Sequence, residues 1–216
     1  MTMRLLTVAL LWLACSAATH AEGPASGSWN FKVLLDDKPI GQQSFTLTKG
    51  EGDKRELRSV ASFNVKFFGV TVYRYRHQNS EQWAGDCLVG LQSTTDNDGT
   101  PLAVKARKEG NQLVVEPAEG GSMALDGCVM GFAYWHPQLL KQTRLLNAQS
   151  GVYEKVRVEL LGQTKVEAQG KTVDATCYTI FGPGQPIVLS YSAQGDWLRL
   201  ESAVSDGKRK LTYVRE

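Results

Sequence analysis

Histidine, cysteine and net charge are all scarce in this sequence, and each scarcity removes a class of function. Three histidines and four cysteines occur in 216 residues. No C-x-x-C or H-x-x-x-H spacing joins them, whereas a zinc centre needs three or four N, S or O ligands. No metal site is expected. No cofactor is expected either, because Gly182-Pro183-Gly184 lacks the Lys-Ser/Thr of a phosphate loop and the strand-to-helix setting of a dinucleotide fold. The 24 basic and 22 acidic residues leave a net charge of +2 without a basic cluster. Nucleic acid is therefore not an expected partner, since its binders present a concentrated basic face. Long apolar runs are missing as well. Leu5 to Cys15 falls short of the roughly 20 residues that span a bilayer, so no transmembrane segment is expected and the mature chain reads as soluble. Fixed-period repeats, linkers and low-complexity blocks are absent too.

That one apolar run belongs to an export signal. Met1 to Arg4 is a short basic n-region, Leu5 to Cys15 an apolar core, and Thr19-His20-Ala21 offers small residues at the two positions a signal peptidase reads. Cleavage after Ala21 removes residues 1–21 and leaves 22–216 as a single β-rich domain, periplasmic or secreted. Arg4 is the only charge lost. Cys15 raises the alternative of a lipidated anchor, but Trp12 stands where that signal wants a Leu-like residue. Export to an oxidising compartment permits one disulfide among Cys87, Cys128 and Cys177. Three pairings are open, as is the fully reduced state.

What the chain does have is alternation. Trp29, Phe31, Val33 and Leu35 alternate with polar residues. Phe45 and Leu47 do so after the Asp36-Asp37-Lys38-Pro39 turn, and Leu57, Ala61, Phe63, Val65 and Phe67 line one face of a third run. A fourth run, Val70 to Gln78, sets Tyr73, Tyr75 and His77 against Arg74 and Arg76, and Glu81 to Thr95 continues through Trp83, Cys87, Val89 and Leu91. Gly/Asp/Asn clusters punctuate these runs as hairpin turns, and the pattern resumes from Tyr153 to Val214. About a dozen strand segments result, with one interruption. From Pro137 to Ala148 the residues are mostly good helix formers, Pro137 suits a first helical turn, and Asn147, Ser150 and Gly151 supply stop signals. The expected fold is mainly β: an antiparallel meander forming a strongly curved sheet or incomplete barrel, with one central helix over about 137–148 packed in its concave side or across its mouth.

At Phe132-Ala133-Tyr134-Trp135, followed by Leu145-Leu146-Asn147 and Gly151, the chain resembles a bacterial family of exported proteins classed only as a domain of unknown function. Its members carry an aromatic segment, a helix and an L-L-N/D-x-Q-x-G run. They end in a meander similar to Ile187–Val214, with a strand like Trp197-Leu198-Arg199-Leu200 after a Gly-Asp turn. The resemblance covers most of the mature chain and brings no activity with it. More loosely, the layout resembles curved-sheet envelope proteins that shelter an acyl chain, such as the lipoprotein-localisation factors.

Three functions compete on these residues. The leading expectation is non-catalytic binding of an apolar or amphipathic, lipid-like ligand. Met130, Phe132, Tyr134, Trp135, Leu139 and Leu146 would line the site, with Tyr73 and Tyr75 on the facing strand, although the same side chains could simply fill a core. A hydrolase or transferase would use Cys128 as nucleophile and His136 as its base, with Asp126 nearby. The plain reading of Cys128 is a disulfide partner or buried thiol. The third is a partner-binding β module that offers an exposed sheet edge.

Overall fold

The computed structural model describes residues 23–204 and 206–216, so the expected export signal lies outside the described residues. Alternation carries nearly all the rest into strands. β1 (Gly27–Leu35) shows the rule: Trp29, Phe31, Val33 and Leu35 are buried while Ser28, Asn30 and Lys32 face water. β2 (Lys38–Lys49), β3 (Lys54–Phe67), β4 (Val70–Ala84) and β5 (Cys87–Asn97) follow, then β6 (Thr100–Glu109), β7 (Gln112–Glu116) and β8 (Met123–Asp126). Later come β9 (Arg144–Leu146), β10 (Tyr153–Lys155), β11 (Arg157–Ala168), β12 (Lys171–Phe181), β13 (Ile187–Tyr191), β14 (Trp197–Val204) and β15 (Arg209–Arg215).

One 13-stranded antiparallel sheet takes the order β11-β12-β13-β14-β15-β1-β2-β3-β4-β5-β6-β7-β8. β9 and β10 form a separate ribbon. The first strand therefore sits mid-sheet, held on one side by β2 and on the other by the last strand, with Phe31 opposite Arg215 and Leu35 opposite Leu211. Open sheets wider than about ten strands curl. Register shifts at Val33/Leu34, Val65/Lys66, Gln82/Trp83, Leu160/Gly162 and Ser190/Tyr191 sharpen the bend. The curl brings distant strands together inside: Phe45 of β2 lies 5.1 Å from Trp197 of β14, and Phe63 of β3 lies 6.1 Å from Tyr213 of β15.

Antiparallel order puts the β1–β2, β3–β4, β5–β6 and β14–β15 turns at one end and the β2–β3, β4–β5 and β6–β7 turns at the other. Four hairpins reverse on two residues with positive φ at both, Asp36-Asp37, Phe68-Gly69, Asp98-Gly99 and Gln169-Gly170, the geometry that matches strand twist. The β4–β5 reversal at Gly85-Asp86 interrupts what alternation alone presents as one run from Glu81 to Thr95.

Gly41 marks where β2 and β3 part company, since Gly41–Phe63 is the last pair of their ladder. A Cβ there would stand 2.0 Å from the Ser62 carbonyl oxygen, which is backbone and cannot swing aside. Gly41→Ala is expected to cost about 3 kcal/mol, read as a lowered urea midpoint. An unchanged midpoint would show that the two strands separate freely at this point.

The expected central helix over 137–148 is not there. Among the described residues no α-helix occurs: Pro137–Lys141 makes a five-residue 3₁₀ turn, Gln142 is extended, and Arg144–Leu146 is a strand. Local composition favours a helix, but fewer than about twelve residues make a marginal one, and the surroundings supply other partners. The Leu146 N–H donates to the Met130 carbonyl, the Asn147 N–H to Val152 and the Val156 N–H to Thr143. Leu139, Leu145 and Leu146 are all fully buried, so their apolar surface is satisfied on the irregular path. The segment 127–156 is instead an irregular plug threaded through the curved sheet. Its backbone is tied to the sheet by the Leu88 N–H to the Val129 carbonyl, the Ala118 N–H to Ser150, and the Tyr191 hydroxyl to Tyr134. A disulfide between Cys87 and Cys128 fixes its entry.

Candidate functional site: a layered interior cavity

β4 sets the axis of the site. Its inward positions run Trp83, Glu81, Asn79, His77, Tyr75 and Tyr73 at every second residue, about 34 Å of strand from end to end. The stretch from Glu81 to His77 is a buried polar stripe on an otherwise apolar wall. Glu81 is 5% exposed and accepts from Asn79 Nδ2 at 2.7 Å and Trp83 Nε1 at 2.9 Å. Burial pushes its carboxyl above the ordinary range, partly offset by those two hydrogen bonds. His77 Nδ1 meets Thr95 Oγ1 at 2.8 Å, and burial lowers its pKa to about 4, so the imidazole is neutral at pH 7.

This stripe, with Leu57 and Phe45 beside it, Trp197, and Phe132, Tyr134 and Trp135 of the plug, lines an inner cavity of about 390 Å³ that opens at the Gly184–Gln185 loop. Among the described residues two buried polar atoms on its lining have no hydrogen-bond partner: Asn79 Oδ1, an acceptor, and Trp135 Nε1, a donor. Leaving a buried polar atom unpaired costs on the order of 1–3 kcal/mol. A hydroxyl or amide can answer either, because each donates and accepts.

Beyond it lies an outer cavity of about 710 Å³, bounded by Leu35, Ile40, Val65, Val72 and Tyr73 at the β3–β4 turn end. Tyr75, Gln149, Leu211 and Tyr213 border both cavities and form the neck between them. Tyr75 is held in place by stacking on Phe63 at 5.3 Å and by donating to Gln149 Oε1 at 3.0 Å. Burial raises the pKa of Tyr75, Tyr134 and Tyr213 above the usual phenol value, so these hydroxyls stay protonated donors.

The opposite end is closed. His136 is fully buried against Trp83 and Trp135, with rings 6.1 Å and 5.0 Å away. Its Nδ1 accepts the Gln138 N–H at 3.2 Å, which places the proton on Nε2, and that proton points to Asp86 Oδ1 at 3.0 Å. Arg55 lies over the Trp135 ring at 5.2 Å, donates to the carbonyls of Pro24 and Gly85, and approaches His136 Nε2 at 3.3 Å. Burial and the Arg55 charge outweigh Asp86 and bring the His136 pKa down to about 4.

The structure sorts the residues singled out in the sequence. Phe132, Tyr134, Trp135 and Tyr75 line the inner cavity, and Tyr73 and Tyr75 the outer one. Met130, Leu139 and Leu146 border neither cavity; they are buried in the packed base of the plug. Cys128 is bonded to Cys87 and has no thiol to attack with, while both nitrogens of His136 are engaged. Cys177, the remaining described cysteine, is buried beside Ser190 Oγ at 3.2 Å. Asn79 and Glu81 escaped the sequence reading, although they continue the period of Tyr73, Tyr75 and His77 without a break. Among the described residues no three His, Cys, Asp or Glu side chains converge as a metal site would require, and no helix is long and apolar enough to cross a membrane.

The family profile described as Domain of unknown function (DUF6134) matches residues 31–216. No curated protein matches the chain. Among solved structures the chain is similar to a beta-barrel-like protein of the domain of unknown function DUF1849 from Brucella abortus. The TM-score is 0.65 at 13% identity, over 89% of this chain and 96% of that one. At that identity the likeness concerns the fold alone.

Proposed function

Because the chain belongs to the DUF6134 family, whose description assigns no activity, we propose a function from its own interior: an exported, non-catalytic protein of the cell envelope that holds one amphipathic, lipid-like molecule inside the curved sheet. The observation that carries this reading is the pair of cavities in series, polar at the inner end and apolar toward the β3–β4 end. A hydroxyl or amide head fits against Asn79 and Trp135, and an acyl chain passes the Tyr75–Tyr213 neck into the outer cavity. Export is supported by the n-region and apolar core of residues 1–21 and by the Cys87–Cys128 disulfide, a bond that persists in oxidising compartments.

Native mass spectrometry before and after denaturation tests it. A released mass in the lipid range is expected, and Asn79→Leu, which removes the acceptor, is expected to lower its occupancy about tenfold. A bare polypeptide mass that also takes up no hydroxylated acyl probe would overturn the proposal.

One observation favours a second reading. Edge strand β11 exposes Leu160 and Leu161, each 65% accessible, beside its bulge. An open edge with two exposed leucines suits strand addition by a protein partner. A filled interior in solution together with a pulled-down partner lost on Leu161→Lys would favour it.

A further inference from the structure

The β3–β4 hairpin runs on past the strands on either side of it. β2 stops pairing with β3 at Gly41–Phe63, and β5 stops pairing with β4 at Tyr75–Asn97. From Asn64 to Tyr73 the hairpin stands clear of both neighbouring ladders for about 15 Å, its last backbone tie being the Asp98 N–H to the Arg74 carbonyl. Its tip is apolar and in water: Phe68 is 92% exposed, Val70 66%, Phe67 65% and Val72 54%. Phe68 packs edge-on against its exposed neighbour Phe67 at 4.5 Å and adds nothing to the core. Its φ of 48° is one that a bulky side chain rarely adopts, and the other three two-residue turns of this geometry place Asp or Gln there. A residue both strained and unburied points to a use outside the fold.

Two observations indicate what covers the tip. The only charges between Asn64 and Arg74 are Lys66 and Arg74, both positive and both exposed. Asp98 adjoins the base of the hairpin at Arg74, whose backbone N–H its carboxylate accepts, and the Asp96 carboxylate accepts the Gly99 N–H within the β5–β6 turn, so both acids are engaged below the tip. The shape is also decisive. A convex tip of four side chains offers a few hundred Å² at most, well under the roughly 800 Å² per partner of a stable protein interface. A bilayer surface needs no socket: an apolar tip sinks about 5–10 Å to the acyl boundary while flanking cations meet anionic headgroups.

We propose that the β3–β4 hairpin docks the protein on an anionic lipid surface through Phe67, Phe68 and Val70, with Lys66 and Arg74 at headgroup level. Val65, Val72 and Tyr73 on the same hairpin border the outer cavity, so docking sets that cavity's mouth against the lipid. The docking rests on the hairpin alone and stands whether or not the interior holds a ligand.

The test is co-sedimentation of the full chain with vesicles of phosphatidylcholine containing phosphatidylglycerol, and with phosphatidylcholine alone. Binding to the anionic vesicles is expected, weakening as salt rises. Phe68→Asn is expected to cut it about tenfold or more. Because Asn suits this turn, the same variant is expected to melt about 3 °C higher, which separates lost docking from lost folding. Lys66→Glu with Arg74→Glu is expected to abolish the preference for anionic vesicles. Three results would each overturn the proposal: no binding by the unmodified chain, binding that Phe68→Asn leaves intact, or a concentration-dependent dimer that Phe68→Asn dissolves.

Discussion

Lowering the pH from 7 to 4 is expected to remove about 5 kcal/mol of folding stability, most of it between pH 6.5 and 4. His77 and His136 both stay neutral in the fold down to about 4, against an ordinary value of 6.5. In the unfolded chain both bind protons below 6.5, so acid favours the unfolded state and the loss deepens until the folded pKa is reached. A depression of this size is worth about 3 kcal/mol per group. The sum is set lower here because Asp86, beside His136, remains partly in water. Glu81 works in the opposite sense: its raised pKa makes protonation easier in the fold than outside it, which softens the decline. Against a typical total of roughly 5–15 kcal/mol, the histidines bring acid unfolding within reach of mild buffers. Urea titrations at pH 7, 5.5 and 4 measure it. His77→Gln combined with His136→Gln is expected to flatten the curve, and equal stability of the unmodified chain at pH 7 and 4.5 would sink the argument.

Reducing the Cys87–Cys128 bond is expected to cost about 4 kcal/mol, from the loop entropy released across its 41-residue separation. With a urea slope of about 2 kcal/mol per molar, the midpoint falls by about 2 M. The effect reaches the interior as well. The bond anchors the plug where it enters, one residue before the Val129 carbonyl takes the Leu88 N–H. Cys128→Ser should therefore loosen Phe132, Tyr134 and Trp135 together and weaken the binding proposed for the inner cavity. Cys177 stays buried in either state, so a thiol reagent should find it only after unfolding. A Cys128→Ser variant with an unchanged midpoint would show that hydrogen bonds alone seat the plug.

These features were unequally visible before the structure. Strands and turns follow from alternation and from pairs such as Asp98-Gly99, where residue type and backbone angle agree. The plug did not, because Gln138 to Ala148 has helical composition and only the surrounding sheet, by offering partners to Leu146, Asn147 and Val156, makes an irregular path better. The polar stripe was half visible. Alternation sets Tyr73, Tyr75 and His77 on one face, but a strand that ends at Gln78 leaves out Asn79 and Glu81, which carry the same period onward. The free hairpin was hidden for a different reason. Phe67 has the parity of core residues Leu57, Ala61 and Phe63, and parity says which face a residue takes, not where the neighbouring strands stop.

The placement of β1 between β2 and β15 has a consequence for how the chain reaches its fold. The residues that complete the middle of the sheet are made long after β1, since Phe31 finds Arg215 and Val33 finds Tyr213 only once β15 has been synthesised. Nothing assembled from the first half alone can close over its own apolar face. Pairings this remote in sequence are slow to form and expose strand edges while they wait. A chain built this way gains its central ladder in one late step, when β15 reaches β1.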